Sequence, residues 1–213
     1  MKPVAVICAG SHAVVLIEAI RLCGTGEVVC AIDDDKTKWG TALLGVLVSG
    51  PLAEMATLRQ QYGFNAVVIG MANYQRRQEQ RMIYNQLVTQ GLSVMTVVHP
   101  SAFISPTAVL GRGVYVGPGA VIHTRAQVGD NVVVNTGSTI DHDAVLGSHA
   151  FISPGVTLAG HVDVGSGAYL GPGAIVGSRI RIGAEAVVGG GACVLADVGP
   201  GAKVYGIPAK PKS

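Results

Sequence analysis

Charge is scarce in this chain. Asp, Glu, Lys and Arg make up 13% of its 213 residues, about half of the ~25% of an average soluble protein. Lys and Arg form no basic cluster and the formal net charge is only +2, which argues against nucleic acid as the main partner. Long apolar runs are also missing. The charge-free stretch 41–53 spans 13 residues and contains Gly45, Gly50 and Pro51, whereas a membrane-spanning helix needs about 20. The four cysteines, Cys8, Cys23, Cys30 and Cys193, form no CxxC pair, so neither a disulfide framework nor a zinc site is indicated. They read as buried thiols of a reducing, cytoplasmic compartment. The apolar N-terminus resembles a signal peptide, but His12 and Glu18 interrupt it, and strand, turn and helix fit it better.

What is abundant is glycine, 30 residues, about twice the usual ~7%. With 49% hydrophobic residues and a mean hydropathy of +0.45, the chain is expected to bury further surface against copies of itself.

Two grammars divide it. Residues 1–98 alternate short apolar runs with helical patterns: strands at Val4–Cys8, Glu27–Ile32, Ala66–Ile69 and Ser93–Val98, and helices over His12–Leu22 and Asn73–Gln90. Such alternation predicts a parallel α/β sheet of Rossmann-like type. From His99 to the end the helical pattern stops. Every sixth residue from Ile104 to Val194 is Ile, Leu or Val, sixteen in succession. Two positions before each aliphatic the residue is small or branched (Ala102, Ala108, Val114, Ala120), and the residue after it is glycine in nine of the sixteen cases. This is the hexapeptide repeat of a parallel β-helix with tight corners, about five coils of 18 residues.

Five histidines, His99, His123, His142, His149 and His161, lie at or in the repeat, and none occupies an inward phase. His142 points outward or sits at a corner, with Asp141 and Asp143 beside it. Gly160 lies one coil above it and Thr124 one coil below. A glycine over an outward imidazole leaves room for a ligand and exposes an N–H. An adjacent carboxylate fixes the tautomer and stabilises the imidazolium. Asn135–Asp143 is therefore the candidate active-site segment.

The order Asn135-Thr136-Gly137, Asp141-His142-Asp143, Ile152-Ser153-Pro154-Gly155 and Leu158-Ala159-Gly160 resembles the hexapeptide-repeat nucleotide-sugar N-acetyltransferases and sialic-acid O-acetyltransferases. These place a Rossmann-like domain before a left-handed β-helix, and the resemblance covers essentially the whole chain. Handedness comes from the resemblance, since most parallel crossovers are right-handed. It implies acetyl-CoA as co-substrate, no metal, a nucleotide-linked (UDP or GDP) 4-amino-4,6-dideoxy sugar as acceptor, and a homotrimer with sites at subunit interfaces. Carried over residue by residue, His142 is the general base, Asp143 its carboxylate partner, and the Gly160 N–H the oxyanion donor. Pro172 and Gly190 match the acetyl-CoA groove, although sharp corners explain glycine there equally well. Phe151 stands where the family has a second histidine near acetyl-CoA. His149, two residues earlier and expected on the same side of a strand, is the candidate substitute. In the N-terminal domain Gly10, Ser11, His12 and Ala13 form the turn before the first helix, where amides hold phosphate. Asp33 and Asp34 match acidic contacts to base or ribose, and Gly70 matches a contact to the sugar nucleotide.

Rival readings stay open on the residues alone. They are an O-acetyltransferase, a non-catalytic sugar-nucleotide scaffold, and a zinc site built on His123, His142 and His161, which lie 19 residues apart and so drift off one coil.

Overall fold

A computed structural model describes residues 1–211. The chain forms two compact units, Met1–Pro100 and Ser101 onward, two residues beyond the boundary expected from the pattern.

The first unit is an α/β sheet. Strand β1 (Pro3–Ile7) leads into helix α1 (Ser11–Cys23) and strand β2 (Glu27–Ile32). A hairpin of β3 (Ala42–Leu43) and β4 (Val46–Gly50), helix α2 (Met55–Tyr62), β5 (Ala66–Ile69), α3 (Arg77–Thr89) and β6 (Ser93–Val94) complete it. Strand order is β3-β4-β2-β1-β5-β6, parallel except for the β3–β4 pair. Side chains alternate across β1. Ala5 and Ile7 join Leu58, Phe64, Ile83 and Leu87 in a cluster with residues of α2 and α3, while α1 buries Ala13, Leu16, Ile17 and Ile20. Gly24 ends α1 in the left-handed conformation, φ 64°, as a residue without Cβ does at lowest cost. The connections diverge on either side of β1, which opens a crevice beyond the carboxyl ends of β1 and β5.

The second unit is a left-handed parallel β-helix. Sixteen two-residue strands from Phe103–Ile104 to Cys193–Val194 build three parallel sheets, and each strand up to Ile175–Val176 pairs with the one 18 residues on, as Ile122 with Ile140 and Ile140 with Leu158. The sixth-residue aliphatics point inward; thirteen of them, Val116, Ile122 and all from Val134 on, are buried to within 1% exposure, together with small partners such as Ala120, Ala144 and Ala168. One inward position is polar. Ser138 is fully buried and its hydroxyl donates to the Ser153 carbonyl at 2.9 Å. Corners repeat too. The third residue after each aliphatic has φ between 53° and 69° from Gly113 to Gly191, so each hexapeptide turns through one left-handed residue. The C-terminal segment joins the β-helix: Lys203–Tyr205 extends one sheet by pairing with Val187–Val188, then folds back on Lys210–Pro211.

Candidate functional site

In the β-helix, Thr139–Ile140 ends at a corner made by Asp141, His142 and Asp143, and Val145–Leu146 begins the next sheet. His142 Nδ1 lies 2.8 Å from Asp143 Oδ2. An ionised carboxylate only accepts hydrogen bonds, so Nδ1 carries the proton and Nε2 is left with its lone pair. Asp143 is ionised because the Arg125 guanidinium, one coil below, holds both its oxygens at 2.6 and 2.8 Å. That pair, with the His142 bond, pulls its carboxyl far below the usual carboxylate range. Asp141 Oδ1 accepts the His142 N–H at 2.7 Å.

Gly160 lies against the imidazole. A Cβ built on it would stand 2.7 Å from His142 Nε2 and Cε1, so any side chain would displace the ring. The Gly160 carbonyl accepts from Arg179, while its N–H has no partner among the described residues. An imidazole lone pair and an unpaired amide donor thus share one corner, the pairing that acyl transfer needs.

His161, one coil above Asp143, places Nε2 3.9 Å from Asp143 Oδ2 and its ring edge-on to His142 at 5.2 Å. Ligand-type atoms of His142, Asp143 and His161 lie within 4.8 Å of one another. This is the group with metal-like geometry, and it differs from the His123–His142–His161 ladder considered above. Arg125 already occupies both oxygens of Asp143, and its guanidinium balances the carboxylate charge.

The remaining expected residues of this unit do not gather around His142 within one chain. Pro172 and Gly190 are exposed neighbours on a different corner, with the Pro172 carbonyl 3.3 Å from a Cβ built on Gly190. Phe151 lies in the sheet facing away from the His142 corner, is 7% exposed and packs its ring against Tyr169 at 5.6 Å. The expectation that His149 shares a strand face with Phe151 is corrected. His149 is a left-handed corner residue, φ 65°, at the third corner, with Nδ1 3.0 Å from Asn131 Nδ2.

In the first unit a cavity of about 240 Å³ lies beyond β1 and β5, lined by Cys8, Gly10, Ser11, His12, Asp33, Gly70, Asn73 and Arg76 among others. Gly10 is the extended N-cap of α1, which leaves the first amides of the helix directed at the cavity. Burial drives the His12 imidazole down to about 4, so it is neutral near pH 7. Gly70 is there for close approach, since a Cβ would meet the Cys8 carbonyl and Ala13 Cβ at 2.2 and 2.7 Å.

One expectation changes in this unit. Ala13 is fully buried under the turn, so it supports Gly70 and does not line the cavity. Asp34 lines an adjoining cavity that shares Cys8, Asp33, Lys38 and Arg76 with this one, and its carboxylate accepts the Leu52 N–H at 2.7 Å. Asp33 borders the cavity, but its oxygens accept from the Ala9 and Asp35 amides and from Lys38. Burial pushes its pKa up, and those bonds together outweigh burial and hold it below the ordinary value. The sequence reading missed the two cations, Lys38 and Arg76, that line the cavity. Lys38 ends a 3₁₀ turn capped by Asp35, and Arg76 ends one capped by Asn73. Neither turn has a hydrophobic period to reveal it.

Among known proteins, residues 3–84 match the PglD N-terminal domain and residues 125–160 the bacterial transferase hexapeptide (six repeats). No curated protein sequence matches the chain. Solved structures do. A histidine-to-asparagine variant of perosamine N-acetyltransferase from Caulobacter crescentus, in complex with CoA and GDP-perosamine, is 36% identical over 100% of this chain and 98% of that one, with a TM-score of 0.91. The acetyltransferase domain of PglB from Neisseria gonorrhoeae is 30% identical over 100% of both chains, TM-score 0.90, and has also been solved with acetyl coenzyme A. WeeI from Acinetobacter baumannii, 24% identical over 100% of both chains, TM-score 0.87, shares the fold. With two domains in the same order and identity above 30% over its full length, the chain belongs to the hexapeptide-repeat sugar N-acetyltransferase family that carries a PglD-type N-terminal domain.

Proposed function

We propose that this protein is an acetyl-CoA-dependent N-acetyltransferase acting on the amine of a nucleotide-linked 4-amino-4,6-dideoxy sugar. One observation carries the reading: His142 Nε2 stands open beside an unpartnered Gly160 amide while Nδ1 is tied to an ionised carboxylate. The chain that holds it aligns end to end with a perosamine N-acetyltransferase in complex with CoA and GDP-perosamine.

The chemistry follows from that geometry. The neutral sugar amine attacks the thioester carbonyl, forming the C–N bond. His142 Nε2 takes the amine proton, and Asp143 stabilises the imidazolium. The Gly160 N–H donates to the tetrahedral oxyanion. Collapse breaks the C–S bond, and the proton leaves with CoA as the thiol. In the N-terminal cavity, the amides at the start of α1 bind the diphosphate, with Arg76 and Lys38 offsetting its charge. His12 contributes polar contacts without charge.

The active form is a homotrimer in the cytoplasm. Acetyl-CoA lies between neighbouring copies, bordered by Pro172 and Gly190 of one and the His142 corner of the next. Among the described residues no helix is long and apolar enough to cross a membrane.

Thiol release from acetyl-CoA with GDP-, UDP- and dTDP-linked 4-amino-4,6-dideoxy sugars tests the reaction. Turnover is expected with one of them, GDP-perosamine first. His142→Ala is expected to lower kcat/KM at least ~100-fold without changing the melting temperature. Silence with all three acceptors, or a His142→Ala enzyme within a few-fold of the parent, overturns the reading.

A further inference from the structure

The three corners of the β-helix solve the same backbone problem differently. Each needs a left-handed residue every 18 positions, and glycine adopts that conformation at least cost. At the corner carrying Pro172 and Gly190 all five such residues are glycine: Gly119, Gly137, Gly155, Gly173 and Gly191. At the His142 corner four successive left-handed residues carry side chains instead: Arg125, Asp143, His161 and Arg179, with φ from 56° to 63°. Because they share one phase, each stands directly above the last, one rung of about 4.8 Å apart.

Asp143 is the centre of this column. Arg125 reaches up and grips it in a two-point pair, Nε to Oδ1 at 2.6 Å and Nη2 to Oδ2 at 2.8 Å. Oδ2, so fixed, also receives His142 Nδ1 at 2.8 Å. The guanidinium is 65% exposed, while the carboxylate is 20% exposed. A carboxylate anchored only by the neighbouring imidazole is free to rotate about its own side-chain torsions. A planar fork bonded to both oxygens removes that freedom.

We propose that Arg125 is a positioning residue for acetyl transfer: it locks the Asp143 carboxylate so that His142 keeps its proton on Nδ1 and its lone pair on Nε2. Arg125 acts through Asp143 and has no contact of its own with the imidazole. The other charged or titratable groups around His142 do not replace it. Asp141 engages the His142 backbone N–H, and His161 approaches Asp143 only to 3.9 Å.

This inference rests on His142 being the base, and its test separates the two. In the intact enzyme assayed with acetyl-CoA and GDP-perosamine, Arg125→Gln is expected to lower kcat about 10- to 100-fold with both KM values within about twofold. Arg125→Lys recovers part of the loss, since it restores one contact of the two. In an Asp143→Asn background Arg125→Gln has no further effect. Nitrogen-15 NMR of the imidazole in the free protein supplies a readout that needs no acceptor. The parent shows the Nδ1–H tautomer of His142, and Arg125→Gln shows a mixture. A locked tautomer in Arg125→Gln, an unchanged kcat, or losses that multiply in the double variant overturns the role of Arg125. A His142→Ala enzyme of near-parental activity removes instead the base reading on which it stands.

Discussion

Gly160 carries no positive φ, so alanine is compatible with its backbone; what the position lacks is room. The new methyl would lie 2.7 Å from His142 Nε2 and Cε1, inside van der Waals contact, and the imbalance is relieved by the half-exposed ring swinging outward. Gly160→Ala is therefore expected to lower kcat about 100-fold, as a misplaced base does, while thermal unfolding moves by less than about 1 kcal/mol. Parental activity in that variant would mean that the ring does not work from this position. At this scale His142, Asp143 and Gly160 were legible because an 18-residue coil turns sequence offsets into vertical neighbours. The same arithmetic reaches Arg125, which is Asp143 minus 18, and the complementary charges one coil apart were the available signal. His149 was misread for a related reason. A hexapeptide contains only two strand residues, so two positions before Phe151 lies round a corner and alternation does not apply.

Elements were legible where periodicity is strong and obscure where a few polar contacts decide. The β-helix follows from sixteen inward aliphatics that no other fold requires. In the N-terminal unit, α1 and β2 emerge from the apolar pattern, whereas the β3–β4 hairpin turns on Leu44 and Gly45, both at positive φ, and the eight-residue α2 buries only Met55 and Leu58. The loop after β2 is organised by Asp33, whose carboxylate ties Ala9, Asp35 and Lys38 together. Its native pKa is depressed, so by linkage it stabilises the fold above the ordinary aspartate range of ~3.9. That contribution is lost as pH falls through the native value. Asp33→Asn is expected to lower stability at pH 7 by about 1 kcal/mol, water screening the exposed part of the interaction. The difference should narrow as melts are taken below about pH 4, where the unfolded chain takes up the proton first, and vanish once the native carboxylate is protonated too. A gap independent of pH would assign the effect to packing.

For the whole molecule, the separation of the proposed site residues between corners is the informative fact. His142 and Gly160 stand on one corner and Pro172 and Gly190 on another, so the roles proposed for them require two neighbouring β-helices to meet at one acetyl group. The exposed apolar side chains Phe103, Val109, Val145 and Ile175 on the helix surface are consistent with burial against copies, and light scattering should give three chains per particle. A sharper test uses complementation. His142→Ala removes one half of each site, and Gly190→Trp fills the groove on the other half. Each homotrimer is expected to be inactive at the level of the assay. Co-expressed one to one, chains assort at random, and a productive interface needs an intact His142 from one neighbour and an intact Gly190 from the next. Each condition is met half the time, so activity should return to about one quarter of the parent. If both halves belonged to one chain no combination would restore it, and a mixture as inactive as either homotrimer would place the whole reaction within a single subunit.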